Sequence, residues 1–319
     1  MGSIVLNLIA GFVLLFLGGD FLVKSSVAIA SKFKMSKLLI GLTVVSLGTS
    51  SPELLVSFRA AIKGNSIISL GNVIGSNISN IGLIIGLTAL VFPIVVKPQT
   101  IKLDFPAMFL SYIWLMIFFL DGNISTLEGL IMILGLFAYI FIEFRNSIKE
   151  SSKQQAKLEQ NNDGKTKLSK LYLSIPILVV SLGALSYGAD YFVEGAVGLA
   201  KMLKVSEKVI SLTVVAIGTS LPELFASLIA AFKKENEIAL GNIIGSNIFN
   251  ILAIIGITAI IKPLSFDSHI YLIDMIWMFM FGALLFITFM PLKTKKIARS
   301  EGLIVLSGYI IYTILLFVK

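Results

Sequence analysis

The sequence contains no cysteine and a single histidine, His269. The first absence excludes disulfides, thiolate metal sites and a cysteine nucleophile. The second excludes a histidine-based metal cluster or a Ser-His-Asp triad as the main chemistry. Charge is scarce as well. Asp, Glu, Lys and Arg make up 14% of the 319 residues, where a soluble domain carries about 25%. With 56% hydrophobic residues and a mean hydropathy of +0.95, the solvent for most of the surface is lipid. No cofactor or nucleophile motif appears, so neither an enzyme nor a resident cofactor is expected. The net charge of +8 resides in short loops between apolar runs. Membrane orientation explains it better than nucleic-acid binding. No positive charge precedes the first apolar run, and a similar segment recurs in mid-chain, so that run reads as a span rather than a cleaved signal.

A helical span needs about 20 apolar residues, and the runs between polar breaks number ten, at about 3–23, 38–60, 68–92, 104–120, 127–143, 171–193, 208–231, 239–261, 270–290 and 302–318. The longest polar stretch, Arg145 to Lys170, is rich in Lys, Gln, Asn and Ser, which cannot bury a core. It reads as a solvated linker (145–170) between a first unit, 1–144, and a second, 171–319. The loops after alternate spans, beginning with the first, hold 19 Lys and Arg, and the opposite side holds 7. The excess of basic residues on the inner face then puts both termini outside and the linker in the cytoplasm.

Shifted by 170 residues, the chain matches itself. Residues 41–87 and 211–257 agree at 28 of 47 positions without a gap, which makes the chain a duplication. The register extends back to Asp20/Asp190 and forward to Asp104/Asp274. After a three-residue slip it includes Glu128/Glu301. Each copy holds five spans. Five is odd, so the second copy enters the membrane from the opposite side. The expected fold is all-α, with ten transmembrane helices in two inverted five-helix repeats and a binding site at the midplane where they meet.

The best-preserved residues are polar and lie in mid-span. Spans 2 and 7 carry Gly48-Thr49-Ser50-Ser51-Pro52-Glu53 and Gly218-Thr219-Ser220-Leu221-Pro222-Glu223. Each proline lacks an N–H and clashes with the carbonyl four residues earlier, Gly48 or Gly218, so the helix must kink or break there. Carbonyls freed at membrane depth must be re-satisfied or line a cavity. Cations could satisfy them, with the hydroxyls of Thr49, Ser50, Thr219 and Ser220 adding oxygens. Glu53 and Glu223 lie near mid-span, where a charge costs at least about 2.5–3.5 kcal/mol and reads as functional. No Lys or Arg sits at similar depth, so both carboxylates must take up protons or bind metal cations, and protons compete with metal at such a pair.

Spans 3 and 8 repeat Gly-Asn-x-x-Gly-Ser-Asn. Glycines four apart allow close helix approach. Ser76, Asn80, Ser246 and Asn250 lie on the face that must meet the broken helices and are expected in the ion site. Asn72 and Asn242 serve interhelical hydrogen bonding or the site. The donor set is all oxygen, which suits hard cations such as Ca²⁺ rather than Zn²⁺ or Cu⁺. Asp20 and Asp190 read as solvated helix ends or structural partners. Asp104, Asp274, Glu128 and Glu301 stand at span starts, where the helix dipole favours acids.

The paired Gly-Thr-Ser-x-Pro-Glu and Gly-Asn-x-x-Gly-Ser-Asn motifs resemble the two repeats of the cation/calcium exchanger superfamily, and the compact prokaryotic sodium/calcium exchangers over essentially the whole chain. The resemblance implies electrogenic exchange of Na⁺ for Ca²⁺ across the cell membrane. It implies ligands at Thr49, Ser50, Glu53, Ser76, Asn80, Thr219, Ser220, Glu223, Ser246 and Asn250, with the backbone carbonyls of Ser46 and Ala216. It also implies that spans 1 and 6 slide across the other eight to switch access. Some relatives, including potassium-dependent exchangers, carry Asp where this chain has Asn250, which argues against K⁺ coupling. The linker is too short for the calcium-sensing domains of animal exchangers. Na⁺, Ca²⁺, competing H⁺ and membrane lipid are the expected partners, with no protein partner evident. A H⁺/Ca²⁺ antiporter using the same glutamates is the alternative.

Overall fold

The computed structural model describes residues 2–160, 171–204, 216–266, 268–289 and 296–318. They are helical almost throughout. In chain order the helices are α1 Gly2–Lys32, α2 Lys37–Thr49, α3 Ser51–Ile62, α4 Ser66–Val91, α5 Thr100–Phe119, α6 Thr126–Gln160, α7 Leu171–Met202, α8 Ala216–Gly218, α9 Leu221–Phe232, α10 Asn236–Ile261, α11 Ser268–Phe289 and α12 Arg299–Val318. Seven of these are long and apolar enough to cross a membrane, and α2 with α3 forms an eighth, bent by 47°. The helices Leu221–Phe232 and Leu272–Thr288 are apolar but shorter. The beginning of the span expected at 208–231 lies outside the described residues, as does 161–170 of the linker. The preceding linker residues continue α6 as helix to Gln160.

Burial sorts the helices into layers. About four-fifths of the apolar stretch in α4 and nine-tenths of that in α10 is buried, against about a fifth in α1 and α12. The two helices carrying the Gly-Asn-x-x-Gly-Ser-Asn motif therefore form the core, and the others present apolar side chains outward. Small residues let the backbones of α2 and α10 meet. A Cβ on Gly241 would lie 2.8 Å from the Leu38 carbonyl, and one on Gly245 would lie 2.6 Å from the Leu42 carbonyl. Such contact contributes through dispersion and shape, because lipid offers no hydrophobic drive between helices.

The duplication recurs in three dimensions. Helices α1 and α7 pack antiparallel along their length, with Ile4 against Gly198, Leu8 against Gly195 and Leu15 against Gly188. Gly11 meets the Gly188 carbonyl and Gly18 meets the Ser181 carbonyl. These two contacts interchange when each residue is replaced by its equivalent 170 positions away. Two short antiparallel strand pairs do the same. Ile94–Val95 (β1) pairs with Lys296–Ile297 (β4), and Asn123–Ile124 (β2) pairs with Leu264–Ser265 (β3). Each strand of one half thus pairs with the non-equivalent strand of the other. The left-handed backbone positions also repeat, at Lys34 and Lys204 and at Gly64 and Lys234.

The acids at span starts divide into two kinds. Glu128 accepts from the backbone N–H of Ser125 at 2.7 Å, and Glu301 accepts from that of Ala298, so both cap helix N-termini as the dipole argument expects. Asp104 departs from that expectation. It is fully buried and accepts from the Tyr139 hydroxyl at 3.0 Å, and its counterpart Asp274 accepts from Tyr312 at 2.9 Å.

Candidate functional site

The proline break sits where the sequence places it. Helix α2 ends at Thr49, Ser50 adopts a non-helical backbone (φ −82°, ψ 5°), and Pro52 lies in the first turn of α3. Ser220 repeats this conformation (φ −89°, ψ 2°), with Pro222 in the first turn of α9. A proline there is compatible with the helix because its missing N–H is one that no intrahelical carbonyl needs. Of the two fates expected for the freed carbonyls, Gly48 meets the first, with a hydroxyl in place of a cation. The Gly48 carbonyl accepts from the Ser51 hydroxyl at 2.7 Å, so it is satisfied from within the chain. Leu221 occupies the equivalent place in the second half and offers no hydroxyl.

The break carries Glu53 and Glu223 into the first turns of α3 and α9, each 1% exposed. No Lys, Arg or His among the described residues forms an ion pair with either. The halves meet at this point. The Ser50 hydroxyl donates to Glu223 Oε1 at 3.0 Å, and the Thr49 hydroxyl donates to Asn242 Oδ1 at 3.1 Å.

Most of the other expected residues are buried as well. Ser46, Thr49, Ser50, Ser76, Asn80, Ser220, Ser246 and Asn250 are all buried. Thr219 is half-buried and lines a cavity of about 310 Å³ with Gly218, Pro52 and Pro222. The Ser46 carbonyl accepts from the Ser50 N–H at 2.9 Å and the Thr49 hydroxyl at 3.3 Å. A cation there would have to take the place of the hydroxyl. Ala216 lies in α8, and the Ser220 N–H reaches the Ile217 carbonyl at 3.1 Å.

Six buried oxygens of this group have no hydrogen-bond partner: Glu53 Oε2, Asn80 Oδ1, Ser220 Oγ, Glu223 Oε2, Ser246 Oγ and Asn250 Oδ1. Uncompensated buried oxygens are costly, and acceptors of this kind suit a hard cation. Among the described residues no three acidic or histidine side chains converge, so the donor set depends on amides and hydroxyls beside the two carboxylates.

Four supporting residues, Asn77, Tyr112, Ser57 and Ser227, were given no role by the sequence. The Asn250 amide nitrogen points to Asn77 Oδ1 at 3.4 Å, which turns its own Oδ1 away. Asn247 is held by the Tyr112 hydroxyl at 2.8 Å. Asn72 donates to the Glu53 carbonyl at 3.1 Å and to Ser57 Oγ at 2.9 Å. Asn242 repeats this with the Glu223 carbonyl at 3.4 Å and Ser227 Oγ at 2.9 Å. The outer asparagines therefore make interhelical hydrogen bonds and brace the acidic turns. The backbone widens to π-helical hydrogen bonding over Asn80–Ile85 and again over Asn250–Ile255. Such turns recur at functional sites, and both begin on an expected ligand.

A family model described as "Sodium/calcium exchanger protein" matches residues 3–145 and 173–318, nearly the whole chain and both halves. The chain belongs to the sodium/calcium exchanger family. This exchanger is 35% identical to the sodium/calcium exchanger MaX1 of Methanosarcina acetivorans, over 98% of each chain. It is 39% identical to the putative antiporter CaxA of Alkalimonas amylolytica, over 97% of each. Its fold matches a solved structure of the sodium-calcium exchanger NCX_Mj, soaked with zero Na⁺ and Ca²⁺, with a TM-score of 0.82. That match has 33% identity and covers 98% of this chain and 99% of that one. The exchanger is thus a predominantly helical, multi-pass membrane protein with the fold of a compact prokaryotic relative.

Proposed function

We propose that the chain is a secondary antiporter that exchanges Na⁺ for Ca²⁺ across the cell membrane by alternating access. The observation that carries this reading is the set of six unpartnered buried oxygens, two of them on carboxylates that form no ion pair with a basic side chain among the described residues and four on hydroxyl or amide groups. Glu53 and Glu223 supply two negative charges, and Thr49, Ser50, Thr219, Ser220, Ser76, Asn80, Ser246 and Asn250 supply neutral oxygens. The carbonyls of Ser46 and Ala216 complete the set. One Ca²⁺ or two monovalent cations would balance the charge. Competition for one charged site is the physical basis of exchange, because a neutralised site can cross between states while an empty, doubly negative one is held back. Na⁺ and Ca²⁺ are substrates here, and the reading invokes no resident cofactor and no enzymatic step.

The fold in this reading is ten transmembrane helices in two inverted five-helix repeats, residues 1–144 and 171–319. The antiparallel packing of α1 on α7 and the interchanged strand pairs support it. Both termini lie outside and the linker, 145–170, lies in the cytoplasm. Helices α1 and α7 slide over the rest to switch access. Exchange is electrogenic, so the membrane potential contributes about 2.3 kcal/mol per net charge per 100 mV. It is independent of K⁺, since Asn250 adds no third carboxylate.

The test is ion-replacement flux. Proteoliposomes loaded with Na⁺ are expected to take up Ca²⁺, whereas K⁺ loading or an imposed pH gradient gives only background uptake. Uptake driven by the pH gradient and indifferent to Na⁺ would establish proton coupling instead.

A further inference from the structure

The duplication is broken at one pair of positions. Lys233 and Lys63 are equivalents, each the residue that ends its helix, α9 and α3, with nearly the same backbone angles. Asp20 on α1 and Asp190 on α7 are equivalents too. Lys233 Nζ lies 2.5 Å from Asp20 Oδ1 and also donates to the Asp20 carbonyl at 3.1 Å, and Lys24 joins Asp20 Oδ2 at 2.7 Å. The Lys233 and Asp20 side chains are only 21% and 22% exposed. Here α1 lies against α9 so closely that a Cβ on Gly19 would fall 2.6 Å from Ile229 Cδ1.

The equivalent place in the other half is open. Asp190 and Lys63 are both exposed, and neither has an ion-pair partner among the described residues. Between α7 and α3 lies the cavity of about 310 Å³, walled by Asp190 and Glu194 on one side and by Pro52 and Val56 on the other. It reaches Thr219, a proposed ligand. By the charge count of the loops, the closed pair is cytoplasmic and the open cavity faces outside.

The geometry points to a reciprocal pair of ion-pair latches: Asp20–Lys233 holds the cytoplasmic side shut in the conformation seen here, and Asp190–Lys63 forms when α7 closes on α3 as the first pair breaks. This rests on the alternating-access reading and names residues that set its two end states. An exchange of conformations between the halves must carry the contact at Asp20 and Lys233 to Asp190 and Lys63. The outer latch differs in one respect. The position of Lys24 is taken by Glu194, so Lys63 would meet two acids, whereas Asp20 meets two lysines.

The chain has no cysteine, so Val56→Cys on the cavity wall gives a sole thiol in the full-length protein. Its reaction rate with an impermeant methanethiosulfonate in proteoliposomes reads outward access. Lys233→Ala should slow labelling roughly two- to fivefold, the scale of a partly exposed ion pair, and Asp20→Asn should do the same. Adding Lys63→Ala to the Lys233→Ala protein should return the rate toward the starting value. The charge swap Lys63→Asp with Asp190→Lys in that background should keep labelling slow. An unchanged rate in both Lys233→Ala and Asp20→Asn would overturn the proposal, as would a swap that behaves like Lys63→Ala. The readout does not depend on which ion is carried, so loss of Na⁺ coupling in the flux test would leave the latch result standing.

Discussion

Replacing Asn242 with Ala removes a buried amide that ties both halves to the acidic centre. Its nitrogen holds Ser227 Oγ at 2.9 Å and the Glu223 carbonyl at 3.4 Å, and its oxygen accepts the Thr49 hydroxyl at 3.1 Å across the repeat interface. Interhelical hydrogen bonds within a membrane contribute about 0.6 kcal/mol on average and about 1.7 at most. Two good bonds and one long one therefore amount to about 1.5–2 kcal/mol. Asn72 makes the corresponding bonds to Ser57 and the Glu53 carbonyl within its own half and is only half-buried, so Asn72→Ala should cost about 1 kcal/mol. Equilibrium unfolding in mixed micelles measures both. A double-mutant cycle between Asn242→Ala and Thr49→Val isolates the cross-repeat bond. Because the Thr49 hydroxyl has one proton to divide between Asn242 and the Ser46 carbonyl, the expected coupling is about 0.6–1 kcal/mol. Additivity of the two substitutions within error would refute the reasoning.

Other positions give sharper contrasts. Gly245→Ala places a Cβ 2.6 Å from the Leu42 carbonyl and 2.7 Å from Ser46 Oγ; it should destabilise by about 1–3 kcal/mol and lower the melting temperature in detergent. Gly183→Ala, with nothing within 4 Å among the described residues, should be neutral or stabilising by up to about 1 kcal/mol from helix propensity alone. Tyr139→Phe leaves the buried Asp104 without its 3.0 Å donor and should cost about 1–3 kcal/mol in the same unfolding assay. Acid pH should inhibit Ca²⁺ uptake. Protonating Glu53 or Glu223 removes the charge a cation must meet, so uptake falls as pH falls and raised Ca²⁺ recovers it, which initial rates at two Ca²⁺ concentrations will show.

Much of the site was legible because its residues are expensive where they stand. A carboxylate, an asparagine or a proline in mid-span has few structural justifications. The repeat then doubles each signal: Glu53 with Glu223, Asn80 with Asn250, Pro52 with Pro222. The structure buries these acids and asparagines together. Less legible was whatever depends on which neighbour arrives. That Ser51 would satisfy the Gly48 carbonyl could not follow from the proline rule, which identifies the freed group but not its next partner. Asn77 and Tyr112 were given no role by the sequence, yet they hold Asn250 and Asn247 through bonds spanning more than a hundred residues of sequence. The π-helical turns carry no hydropathy signature, since one added residue per turn leaves an already apolar helix apolar. Asp104 sat at a span start by count and proved buried, because a π-helical turn and Tyr139 draw it inward. The unequal fates of Asp20 and Asp190 did not follow from the repeat alone, which puts the same residue type in the same register in both halves, whereas Lys233 and Lys24 hold Asp20 in the structure.

Charge removal at the two acids tests the central claim most directly. With Na⁺-loaded proteoliposomes and a Ca²⁺ uptake readout, Glu53→Gln and Glu223→Gln should each abolish exchange while the folded protein still reconstitutes. Full uptake in both variants would contradict the account, since the cation would then be crossing without the carboxylates that are held to carry it.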